Sequence, residues 1–166
     1  MIGRASLAVA VLTLAAWSGA AADPCATPKV DIADWPIVRS ARVPGFTLRL
    51  PRSFVRDTAA TGAARAARWN DAGHARVEIT HLGDAKPSVL PTPDGRSTYA
   101  RCETRVGSAT AIIISFADGS PATAHVVHAR IQWPDGESLD VRADAADRAQ
   151  LDQLLAAVRT VRRAGA

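Results

Sequence analysis

Four histidines, two cysteines and a run of arginines are the residues of this 166-residue chain best suited to chemistry. His125 and His128 suggest a shared metal by their closeness in sequence. Imidazoles that share an ion must converge, whereas residues three apart on a strand project to opposite faces. His81 shares a face with Val77 and Ile79 in an alternating stretch, so it reads as a sheet-end residue with its own hydrogen bond. A small secreted hydrolase or metal-dependent enzyme using His81, His125 or His128 is therefore the alternative reading. No catalytic residue, metal or cofactor is assigned. No Gly-x-Ser-x-Gly occurs, and Gly107-Ser108 and Gly119-Ser120 read as turns. Glu103 lies between Arg101 and Arg105 and reads as part of a charged outer face. Gly62-Ala63-Ala64 is too sparse for a phosphate loop.

The cysteines belong with the first residues of the chain. Arg4, the largely apolar run Ala5 to Trp17 and the small residues Ala20-Ala21-Ala22 read as a secretory signal peptide over 1–22, cleaved between Ala22 and Asp23. The apolar run is too short for a membrane span of about 20 residues. Asp23-Pro24 before Cys25 spoils a lipoprotein site. The expected product is exported, periplasmic or secreted, soluble and free of transmembrane spans. In an oxidising compartment two cysteines most simply form one bridge, Cys25–Cys102. Nothing resembles Cys-x-x-Cys. The bridge would tie a Pro-containing segment, 23–44, to the middle of a single domain, 45–163.

Charge is placed unevenly. The span from Arg39 to Arg68 holds seven arginines against Asp57 alone, and the span from Asp135 to Asp152 holds six acids against Arg142 and Arg148. The two spans would either face each other and cancel or make a dipolar surface. Arg49, Arg52, Arg65 and Arg68 are the candidates for binding an anion or a partner. Past the leader the net charge is only +3, and aromatics rarely interleave with the arginines, so nucleic acid is not an expected partner.

The elements that would position these residues read as strands and one helix. Phe46 to Leu50 alternates apolar and polar residues, and Pro51 closes it. Ala66–Asn70 and His74–Leu82 form a hairpin across Asp71-Ala72-Gly73. Gly83 to Ser97 is a long loop. Thr98–Val106, Thr110–Phe116, Thr123–Trp133 and Ser138–Ala143 follow, and Ala111 to Ile114 reads as a central strand covered on both faces. Pro134-Asp135-Gly136 is a tight turn. Asp144 reads as the N-cap of a closing helix whose stripe is Leu151, Leu154, Leu155, Val158 and Val161. Arg159, Arg162 and Arg163 fall in its last turn. The fold class is α+β: an antiparallel meander sheet of about seven strands with a C-terminal helix packed on one face.

The stretch Gly45-Phe46-Thr47-Leu48-Arg49-Leu50-Pro51-Arg52-Ser53-Phe54 resembles the first strand of PsbP-like domains, an apolar strand ending in Leu-Pro before an aromatic. The Leu154-Leu155 helix ending in Val161 is similar to their closing helix. The resemblance spans 45–163 and implies an α/β sandwich. Most exported bacterial proteins of this kind have no assigned activity, so it implies no catalytic residue. The leading functional reading is a noncatalytic exported domain that binds an envelope protein or an anionic surface. A structural or assembly accessory of the envelope is a further alternative.

Overall fold

The structure is a computed structural model and describes residues 23–59, 65–83, 89–93, 97–120 and 123–164. Among the described residues there are two antiparallel sheets and one helix. The small sheet joins β1 (Ile37–Ser40), β2 (Val43–Arg49) and β10 (Arg162–Arg163) in the order β1-β2-β10. The large sheet holds seven strands: β3 (Val55–Arg56), β4 (Ala66–Asn70), β5 (Arg76–His81), β6 (Ser97–Val106), β7 (Ala109–Ser120), β8 (Thr123–Gln132) and β9 (Ser138–Ala145). Their spatial order is β3-β4-β5-β9-β8-β7-β6. Two meanders run through this sheet, and they meet where β5 pairs with β9. Between them the chain crosses from β5 to the far edge. Residues 84–88 and 94–96 of the long loop lie outside the described residues, as do 60–64 and the expected signal peptide, 1–22.

Strict alternation makes the large sheet two-faced. Leu139, Val141, Ala143 and Ala145 of β9 are fully buried, and their register partners Ile79, Val77, Ala129 and Val127 share that face. The small sheet, through Phe46 and Leu48, and helix α1 (Arg148–Arg159) cover it. Leu151, Leu154, Leu155 and Val158 form the inward stripe, and burying each leucine stabilises the fold by roughly 2–3 kcal/mol. Val161 is also buried but follows the helix. β7 lies one strand in from the edge. It is covered on both faces at Ile113 and Ile114, and Ile114 joins Phe116, Val126, Leu90 and Tyr99 in a second small cluster.

Two expectations are corrected at the helix ends. The N-cap is Asp147, whose carboxylate accepts the Gln150 N–H at 2.8 Å, while the Gln150 side chain accepts the Ala146 N–H at 2.9 Å. Asp144 instead closes β9, because the strand alternation continues two residues past Ala143. At the other end the helix stops at Arg159, and Arg162 and Arg163 pair with Thr47 and Phe46 as β10. Thr160 caps the helix and receives the Arg49 N–H at 2.7 Å, so one residue ends the helix and ties it to β2.

Cys25 and Cys102 form a disulfide with Cα atoms 5.3 Å apart. Cys102 is the register partner of Ile113 and therefore sits on the core face of β6. Arg159 donates to the carbonyls of Pro24 and Ala26 at 2.6 and 3.1 Å, which seats the start of the segment beside the helix end.

Candidate functional site

The histidines do not assemble. His128 lies on the outer face opposite Ile114 and Arg142, with Nε2 3.8 Å from an Asp140 oxygen. His125 has the parity of the core face and lies at the far end of the sheet, opposite Ala117 and Ala145. His81 is at the other end, opposite Leu139, with its ring 5.1 Å from that of Phe46. His74 adopts a left-handed φ of 67° in the β4–β5 turn. Among the described residues no group of three or more His, Cys, Asp or Glu is placed to hold a metal ion.

His81 instead closes a charged clasp at one end of the sandwich. Its Nε2 is 3.4 Å from Glu137 Oε1, without hydrogen-bond alignment. Arg163 of β10 reaches Glu137 Oε2 at 2.9 Å and pairs closely with Asp135. Asp135 and Glu137 flank Gly136, whose φ of 91° completes the Pro134-Asp135-Gly136 turn. The hydrogen bond from Arg163 holds the Asp135 carboxyl below the ordinary aspartate value, with help from the Glu137 N–H at 3.2 Å. Stability from this pair is complete above the unfolded aspartate pKa and is lost as pH falls through the lower folded one. In Arg163→Gln, the Asp135 carboxyl followed by NMR is expected to titrate at higher pH than in wild type. An unmoved midpoint would contradict the clasp.

Five of the six acids in the acidic stretch meet arginines. Asp135 and Glu137 go to Arg163, Asp140 to Arg130, Asp144 to Arg76 and Arg142, and Asp152 to Arg148. Those arginines all lie outside the 39–68 run, and the sixth acid, Asp147, caps the helix.

Within that run, the four candidate arginines separate. Arg49 donates to the carbonyls of Trp35 and Ala33 at 2.8 and 3.4 Å, so it holds the segment before β1 against β2. Phe46 and Leu48 face the core, which puts Arg49 on the outside of the small sheet. Arg68 lies on the outer face of the large sheet, bonded to Glu78 at 2.5 and 2.9 Å, with Asp57 at 4.0 Å. Arg52 and Arg65 are exposed, and Arg65 lies against Gly83.

Arg68 has different companions. A narrow cleft of about 10 Å³ is lined by Arg42, Arg56, Asp57, Ala66, Ala67, Arg68 and Glu78. It opens beside β4, where the two-residue strand β3 stops pairing. Arg42 comes from the β1–β2 turn and Arg56 from β3. Arg56 stacks over Trp69 at 5.6 Å and donates through Nη1 to the Arg39 carbonyl at 3.5 Å, but its Nε is buried with no hydrogen-bond partner. Buried donors ordinarily find an acceptor. Three arginines and two acids line the cleft, which has room for roughly one oxygen-sized group. Of the three, Arg68 alone is among the candidates named from the sequence. The signal was present in the same arginine run, but pairing three elements required the fold.

No family model and no curated protein matches the chain. No helix among the described residues is long and apolar enough to cross a membrane.

Proposed function

We propose that this is an exported, noncatalytic domain of the PsbP-like kind that binds an anionic group presented by an envelope partner or surface. The buried, acceptor-less Nε–H of Arg56 carries the reading. Arg56 lines a cleft together with Arg42 and Arg68, at the seam between the two sheets. A carboxylate, sulfate or phosphate oxygen is the group such a cleft accepts, because guanidinium donors suit planar and tetrahedral oxyanions. Arg52 and Arg65, both exposed, would add long-range attraction. Export is supported by the Cys25–Cys102 bridge and by the leader's composition. The bidentate Arg130–Asp140 pair and the Arg76–Asp144 pair use the outer-face charges internally, which favours the seam as the binding surface.

Cosedimentation with vesicles of anionic phospholipid and retention on a sulfated polysaccharide column test the proposal. Binding is expected to weaken with added salt, since exposed charges are screened within about 8 Å at physiological ionic strength. Arg42→Gln combined with Arg56→Gln is expected to weaken it by about tenfold or more, the order of a single lost charge-assisted contact. Equal retention of wild type and double variant would remove the proposal.

A further inference from the structure

The large sheet has unequal edges. Strand β3 at one edge is two residues long, whereas β6 at the other edge runs for ten. Among the described residues β6 pairs only with β7, and no backbone bond reaches its outer side.

The phase of that edge follows from its hairpin. Gly107, at φ 61°, and Ser108 form a two-residue turn that closes on the hydrogen-bonded pair Val106–Ala109. Bonded and non-bonded pairs alternate from there. Thr104 and Cys102 therefore spend their backbone groups on β7, and Arg105, Glu103 and Arg101 turn theirs outward. The same three residues carry exposed side chains on the outer face. Arg101 and Glu103, 46% and 66% exposed, pair with each other at 2.8 Å within the chain, and Arg105 donates to the Ser108 carbonyl at 3.2 Å. Pairing across copies therefore exchanges solvent-exposed contacts for contacts between strands. Cys102, and with it the attached segment, lies on the opposite, core face.

We propose that β6 pairs antiparallel with β6 of a second copy of this chain, about a two-fold axis at Cys102. This register sets Arg101 of each copy opposite Glu103 of the other and Arg105 opposite Tyr99. It pairs Thr98 through Val106, and its bonded positions Arg101 and Glu103 are residues with outward backbone groups, while the ladder is irregular between Ser97 and Ala100. An axis at Glu103 would instead oppose Glu103 to itself and Arg101 to Arg105, and like charges directly opposite are destabilising. An axis at Thr104 opposes Glu103 to Arg105 but runs off the strand at Gly107. The edge is thus charge-complementary to itself, which makes a second copy the occupant and gives a closed, isologous contact. This inference does not depend on the anion site.

Sedimentation velocity over a concentration series, up to roughly 100 μM because edge pairing buries little area, tests it. Wild type is expected to dimerise, with the dimer weakened by salt. Glu103→Arg is expected to raise the dissociation constant by about tenfold or more, because three arginines then line the edge. The exchange R101E/E103R restores the opposed charges and is expected to recover the dimer, which also shows that Arg at 103 is compatible with folding. A monomeric wild type would mean the charges guard the edge against pairing, and it would overturn the proposal. So would a dimer indifferent to Glu103→Arg, or one recovered by E103R/R105E and not by R101E/E103R.

Discussion

The double variant Cys25→Ser/Cys102→Ser is expected to melt roughly 10 °C below wild type, a loss of about 2–5 kcal/mol. The bridge closes a loop with a sequence separation of 77. Chain entropy alone assigns such a loop about 4.5 kcal/mol, which is an upper figure because denatured chains keep some structure. The stabilisation acts mainly on the unfolded chain, so the denaturant slope m is expected to rise as the uncrosslinked chain exposes more surface. The native contacts at risk are few: two Arg159 hydrogen bonds to Pro24 and Ala26, and the packing of Trp35 and Val38 on the core. Equal melting of the oxidised wild type and the serine variant would reject a stabilising role for the bridge.

The second large effect lies on the outer face of β9. The Asp144 side chain is 1% exposed and Arg76 is 38% exposed, with Arg76 Nε 2.7 Å from the carboxylate. Arg142, 55% exposed, approaches the other oxygen at 3.4 and 3.5 Å. The exposures make the pair asymmetric. Arg76→Ala strands a buried carboxylate with only the longer Arg142 contacts and is expected to destabilise by about 3 kcal/mol. Asp144→Asn leaves arginines that can turn to water, so about 1–2 kcal/mol is expected. The double variant is expected to lose less than the sum, since the orphaned charge is gone. Chemical denaturation of the three variants measures this, and equal losses for both single variants would contradict the asymmetry.

Much of this architecture is visible in residue patterns. The turn at Pro134-Asp135-Gly136, the alternation of Thr123 to Gln132 and the stripe Leu151-Leu154-Leu155-Val158 are local features, and local features are what sequence encodes directly. Glu103 between Arg101 and Arg105 was likewise legible as an outer face. Asp144 and Asp147 show why boundaries are harder. Each is a good cap by type, and only the continued alternation Leu139-Val141-Ala143-Ala145 separates them. Arg162 and Arg163 looked helical because Val161 extends the stripe, yet β2 supplied a competing partner more than a hundred positions earlier. The arginine seam and the β5–β9 pairing were beyond reach for the same reason. Each joins residues whose proximity depends on the path of the whole chain, and no spacing rule carries that information.

The meeting of the two meanders has a consequence for how the molecule is made. β9 completes a hairpin with β8, but it also must find β5, formed from residues far upstream. Until it does, Val77 and Ile79 have no neighbour on one side, and the earlier meander is an open-edged fragment. Such long-range closure slows folding, because loop entropy is lost before the contact repays it. β9 is therefore the keystone: the two meanders stay unjoined until Ser138–Ala145 has been made. Cutting back from Arg163 removes β10 and then the helix, uncovering the core face, before it reaches the strand that joins the two halves.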